Sequence, residues 1–287
     1  MSTTPAHTSP RDPAAPTVSV VIPTFRRPAE LREAIESALA QSGVTVEVIV
    51  VDDSPEGSAR DVVGAVGDAR VLYRVNERPS GGVPAEVRNL AWPLARGRYL
   101  HFLDDDDRLL PGASAALVAA LERRPGAGVA IGVVRPFGDD PEALAREREY
   151  FARGAELLRR TTSPRALARH MLFQTTPLVN SSCMIRRECV AAVGGYSPNV
   201  KYVEDVDFYL RAIRRCGFVF VDAPVVEYRV GTPSLMHSLE DLTVLRESYR
   251  TIYRNYREMF GRAEFLAQRV RALPGRLHGA FARRLGR

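Results

Sequence analysis

Three short apolar runs, at Val18–Ile22, Val46–Val51 and Tyr99–Leu103, each end in polar residues at Thr24, at Asp52-Asp53 and at Asp104. Helix-period segments lie between them. Pro28 suits the first position of a helix whose Leu31, Ala34, Ile35, Ala38 and Leu39 recur at helical spacing. A second helix is expected over 58–66, a strand over 71–75, a loop at Ser80-Gly81-Gly82 and a helix from Pro84 to Leu94. Such alternation restricts the chain to an α/β fold, a mostly parallel sheet covered by helices. The ends of the three runs then share one edge, where open α/β sheets bind their ligands.

At that edge stand four consecutive aspartates, Asp104–Asp107. Their mutual repulsion calls for a cation. In extended backbone alternate side chains share a face, so Asp104 and Asp106 can converge on one ion while Asp105 points elsewhere. Hard carboxylate oxygens suit Mg²⁺ or Mn²⁺, which keep positions open for phosphates. The plainer alternative is an acidic turn in which Asp107 caps a helix beginning near Pro111. Asp52-Asp53 is open to two readings as well: acceptors for a base N–H or a ribose hydroxyl, or a helix cap. Glu204 and Asp205 open an amphipathic helix over 203–215. Acids there satisfy the helix dipole, and Asp205 can also serve as a general base if it faces the site. Gly194-Gly195-Tyr196 reads as a crevice-lining loop, and Asp207 as a residue of the helix surface.

The remaining pattern divides the chain. Residues 1–16, rich in Pro, Ser, Thr and Ala without periodicity, read as a disordered leader. A helix over 111–123 and a strand over 128–134 follow. Residues 138–170 form a charged helical insertion, either over the acceptor side or as a solvated face. Strands are expected at 178–185, 218–221 and 225–230, and helices at 242–257 and 265–285, the last broken by Pro274-Gly275. The net charge of +6 rests on arginine, since Lys201 is the only lysine, and the 262–287 stretch holds seven arginines against Glu264. That stretch suits a peripheral contact with an anionic membrane, or a helix packing on the domain or on a second copy. The odd set of Cys183, Cys189 and Cys216 fits reduced thiols, and neither a spanning apolar run nor a signal peptide is present. The expected location is cytoplasmic, or peripheral at the inner face of the membrane, with no nucleic-acid partner.

The motifs VSVVIPTFRR, EVIVVDDS, GGVPAEVRNLA, GRYLHFLDDDD, MIRRECVAAVGGY and VEDVDFYLRA occur in that order. Together they resemble the family 2 glycosyltransferases of GT-A fold, from about Val18 to Ser238. The resemblance implies a Rossmann-like nucleotide-binding half (17–110), an acceptor half (111–238) and a helical C-terminal extension (239–287). It implies that Pro23, Thr24, Phe25 and Arg26 line the base, that Asp53 binds the base edge, and that Arg88 lies near the nucleotide. Asp104 and Asp106 match the DxD motif, with Asp105 between them, for the donor and its Mg²⁺ or Mn²⁺. Asp205 matches the base that deprotonates the acceptor, with Glu204 beside it. Many relatives carry a histidine soon after a YR pair. Here Tyr228-Arg229 is followed by Val230-Gly231, and His237 is the nearest candidate metal ligand. The implied reaction is an inverting transfer from a nucleotide-diphosphate sugar, UDP or dTDP favoured, to an acceptor that the sequence leaves open. A sugar nucleotidyltransferase, or a binding module that has lost catalysis, is the alternative.

Overall fold

A computed structural model describes residues 15–231 and 242–285. The expected leader therefore falls almost wholly outside the described residues, and so does His237.

The strands are β1 (Val18–Thr24), β2 (Val46–Asp52), β3 (Val71–Val75), β4 (Tyr99–Phe102), β5 (Arg108–Leu109), β6 (Val129–Phe137), β7 (Cys183–Arg186) and β8 (Phe218–Arg229). They form one sheet in the order β3-β2-β1-β4-β7-β6-β8-β5. The first four are parallel to one another, with Thr24 opposite Asp52 and Val21 opposite Phe102. β7 is antiparallel to both β4 and β6, and β5 to β8. Two-residue alternation explains how both faces are buried. Val18, Val20 and Ile22 pack with Leu31 and Ile35 of helix α1 (Pro28–Leu39) and with Leu117 of α4 (Ala113–Arg123). Val21, Ile49 and Phe102 point the other way, into a core with Phe208 of α8 (Glu204–Cys216).

Between these lie α2 (Arg60–Val66), α3 (Pro84–Ala91), α5 (Pro141–Arg160), α6 (Pro164–Phe173) and α7 (Arg187–Val193). Two helices follow β8: α9 (Leu242–Phe260) and α10 (Arg262–Leu285). Proline opens α1, α3, α5 and α6, where its missing N–H costs nothing. The charged 138–170 segment is largely α5 and α6, and it is more than a solvated face: Phe151, Ala155 and Leu158 are buried.

Five expectations need correction. β8 is one strand, not two. Pro224, which has no N–H, falls at a register shift opposite Val133, and the neighbouring Gly132 leaves no room for a Cβ against Val225. Asp107 caps no helix: α4 begins after Gly112, and Asp107 is buried, accepting from the Arg229 N–H at 3.0 Å. Asp207 is buried rather than superficial, ion-paired with Arg211 at 2.7 Å and accepting from Asn255 of α9. The glycine loop before α8 does not line the cleft. Tyr196 is buried and stacks on Phe208 at 4.1 Å, edge-on to Phe102. Finally, the backbone of α10 continues through Pro274-Gly275.

Candidate active site

In the order β3-β2-β1-β4 the strands add outward on one side of β1 and then on the other, so the strand order reverses between the parallel β1 and β4, and the cleft opens at their C-terminal ends. It encloses about 800 Å³. Thr24, Asp53, Arg88, Asp104, Glu204 and Asp205 all line it, although they are drawn from both halves of the chain.

The cations that balance the aspartate run come from elsewhere in the chain. Arg27, at the start of α1, donates to Asp106 Oδ2 at 2.6 Å and to Asp105 Oδ1 at 3.3 Å. Thr24 Oγ1 donates to Asp105 Oδ2 at 2.7 Å. Arg229, from the end of β8, donates Nε–H to the Asp106 carbonyl at 2.9 Å and Nη2–H to Glu33 at 2.7 Å. Burial, and then the neighbouring Asp106 charge, push the Asp105 carboxyl up to about 7. The same causes raise Asp107 well above the usual carboxylate range.

Arg88 is the centre of the site. It is 3% exposed, and its Nη2 donates to Asp104 Oδ1 and its Nη1 to Glu204 Oε1, each at 2.6 Å. With the Asn180 amide oriented by its neighbours, Asn180 Oδ1 accepts from Arg88 Nε and Nη2 at 2.8 Å, and its NH₂ donates to the Tyr196 hydroxyl at 2.8 Å. The Tyr196 ring lies 5.3 Å from the guanidinium. A single buried cation thus ties the end of β4 to the start of α8.

At the base end, the sequence expectations need revision. Asp53 is fully buried and its acceptor sites are taken by the following loop. Oδ1 accepts from Asn76 Nδ2 at 2.6 Å and from Ser80 N at 2.9 Å; Oδ2 accepts from Ser80 Oγ and Gly82 N, both at 2.7 Å. A carboxylate has about four lone-pair sites, so Asp53 shapes the pocket by folding the loop and leaves no free acceptor for a base. Asp52 is likewise spent locally, on Ser54, Ala59 N and Tyr73. Phe25 lies against Gly82, whose φ of +85° suits glycine. Arg26 turns outward to Glu56, and it is Arg27 that lines the cleft.

Across the cleft, Val203 precedes Glu204-Asp205 with φ at +55°, a costly conformation for a β-branched residue. Among the described residues only Arg26, at +58°, shares this sign without being glycine; it stands between Phe25 and Arg27, which line the cleft. Asp205 lines the cleft, accepting only from the Val206 N–H at 2.8 Å among its described hydrogen bonds. Burial first, then the charges of Glu204 and Asp104, raise its carboxyl to about 7, against the opposing pull of Arg88. Tyr150 of α5, its hydroxyl held by the Thr176 carbonyl at 2.6 Å, and Tyr249 of α9 close this side.

With this geometry in place, comparison with known proteins is informative. Residues 19–194 match the model of glycosyl transferase family 2. The chain belongs to that family. An uncharacterised protein of Mycobacterium tuberculosis is 30% identical over 73% of this chain and 66% of its own length. The GalNAc(5)-diNAcBac-PP-undecaprenol beta-1,3-glucosyltransferase of Campylobacter jejuni is 37% identical over 36% of this chain and 34% of its own. These matches thus span from about a third to just under two thirds of the relatives' lengths. The fold is also that of Staphylococcus aureus TarS residues 1–349, solved with UDP-GlcNAc: TM-score 0.65, 18% identity, covering 88% of this chain and 72% of that one.

The carboxylates can be tested against a divalent ion. Among the described residues no three His, Cys, Asp or Glu side chains gather as a metal cage. Asp104 and Asp106 nevertheless offer hard oxygens at the cleft, a set that fits an ion completing its shell with water and substrate phosphates. Sequence reasoning missed Arg27, Asn180 and Arg229. Arg27 had a signal, standing beside Arg26 in PTFRR, and so did Arg229, in the Tyr228-Arg229 pair; Asn180 had none, because only the tertiary fold carries it to Arg88 and Tyr196.

Proposed function

We propose that this glycosyltransferase moves a sugar, with inversion, from a nucleotide-diphosphate donor, UDP favoured, to a hydroxyl of a lipid-linked or polysaccharide acceptor. One observation carries the reading: Arg88 joins Asp104 to Glu204, so a donor-side carboxylate and the acceptor-side pair share one cleft. The undecaprenol-linked substrate in the Campylobacter jejuni relative's name, and the UDP-GlcNAc bound to TarS, support the substrate classes.

The residues take distinct parts. Pro23, Thr24 and Phe25 border the base pocket with the loop that Asp53 organises. Asp104 and Asp106 would hold Mg²⁺ or Mn²⁺. When bound, the ion supplies charge neutralisation for the departing diphosphate. Arg27, lining the cleft beside Asp106, would be placed to meet a phosphate bidentately. Asp205 accepts the proton of the attacking hydroxyl, and a value raised to about 7 makes it a stronger base at neutral pH than an ordinary aspartate. Glu204 stands beside it, held by Arg88 at 2.6 Å.

A thermal-shift screen of nucleotides with Mn²⁺ or Mg²⁺, followed by release of nucleoside diphosphate from the matching sugar donors, tests the proposal. UDP with metal is expected to stabilise the protein, and Asp106→Ala to weaken that effect about tenfold or more. If no nucleotide stabilises it, the donor reading fails.

A further inference from the structure

Helix α10 has two unlike faces. Phe265, Gln268 and Ala272 are buried, and Phe265 packs on Phe173, Tyr253 and Tyr256 at 5.5–6.3 Å. The opposite face presents Leu266, Val270 and Leu273, which are 59%, 56% and 49% exposed. Their spacing of four and then three residues puts them in one row along the helix. Large apolar residues scattered singly need no explanation, but a row on successive turns is a surface made to be covered.

The charges beside the row all have one sign. Arg262, Arg269 and Arg271 are exposed. Glu264, the one acid of α10, turns away and is committed to Arg214 at 3.2 Å, Arg165 at 3.4 Å and Gln268 at 3.1 Å. Nothing acidic on this helix is left to pair the outward arginines. A second copy packed on the same row by two-fold symmetry would bring like charges together. An anionic lipid surface satisfies both features: the apolar row enters the acyl boundary while arginine stems lie along it and their guanidinium groups reach phosphate.

We propose that the outward face of α10 is a docking surface for an anionic phospholipid bilayer, on which the helix lies without crossing. Among the described residues no helix is long and apolar enough to span a membrane. The surface rests on α10 alone and does not depend on the reaction assigned to the cleft. Its effect would be to hold the enzyme where lipid-linked acceptors are concentrated.

The test is co-sedimentation of the full chain with vesicles of pure phosphatidylcholine and of phosphatidylcholine with 30 mol% phosphatidylglycerol. Binding is expected only to the anionic vesicles and should weaken with salt. Arg262→Gln and Arg269→Gln should each cost about fivefold in vesicle affinity. The combined Leu266→Ser, Val270→Ser and Leu273→Ser change should cost more than about tenfold while leaving the thermal midpoint and donor hydrolysis in solution unchanged. Equal binding by the triple variant and the unaltered chain would overturn the proposal. So would absence of binding at 30 mol% phosphatidylglycerol, or light scattering that shows a dimer which the triple variant dissolves; that last result would assign the row to a second copy. A chain that docks yet transfers no sugar would leave this surface standing and fail only the reading of the cleft.

Discussion

The two rims of the cleft use the same side-chain chemistry to opposite ends. On the donor rim, Asp104, Asp105 and Asp106 each meet an arginine, and Asp53 meets four donors from one loop. On the acceptor rim, Glu204 takes the shared guanidinium, and Asp205 is left with a backbone N–H and a raised proton affinity. Under the proposed roles, what separates a carboxylate that holds a ligand from one that moves a proton is the partner it meets, not the residue type. Burial costs both rims the same kind of desolvation. A partner does not always repay it: Asp105, despite Arg27 and Thr24, is pushed up to about 7, as Asp205 is.

Breaking the acceptor rim should have the largest effect. Asp205→Asn is expected to lower turnover by about 10²- to 10⁴-fold with little change in donor KM, read from nucleoside diphosphate release. Near-normal turnover would sink the base assignment. The pH profile sharpens the point: a base must be deprotonated, so turnover should rise through about pH 7. Stability should run the other way. A carboxyl whose folded value is raised stabilises the fold fully below its unfolded value of about 3.9, and that contribution is lost as pH rises to about 7. Asp205→Asn should flatten its share of that slope in denaturant titrations.

Next comes the bridge between the rims. Arg88→Met leaves the half-buried Asp104 and Glu204 without their buried cation and should cost at most about 3–5 kcal/mol of folding stability by urea titration. A loss below about 1 kcal/mol would mean that the two carboxylates find other partners. A smaller change is expected at the base pocket. Asp53→Ala strands the donors of Asn76, Ser80 and Gly82, worth about 1–3 kcal/mol, and should loosen the loop as seen by faster hydrogen exchange at residues 76–83. The smallest contrast is between neighbours. Arg26→Ala should leave turnover within about twofold, because its pair with Glu56 is exposed, whereas Arg27→Ala should raise donor KM. The reverse result would return the base-side role to Arg26.

Much of this was legible in the chain. The strands ending at Thr24, Asp52 and the aspartate run lie where their apolar runs place them, and Asp205 opens α8 in the same cleft. The failures share one cause. Asp107 looked like a helix-terminal acid because its partner Arg229 lies far along the chain. Asp207 looked like a surface acid because α9, which supplies Asn255, lies far along it too, although the ion-pair partner Arg211 is one helical turn away. The apolar pattern over 218–221 and 225–230 likewise splits β8 at Pro224, whereas pairing with β6 carries one strand across the irregularity.

Local sequence determined which segments are strands and helices and which acids stand at their ends, since periodicity and proline placement act over a few residues. It could not determine which acids meet a cation. That depends on arginines brought from Arg27, Arg88 and Arg229 by the order of strands in the sheet, and electrostatic partnership is decided by distance in space. The same holds for α10: its sequence shows a basic helix, and only its packing on α6 and α9 shows which residues are left facing outward.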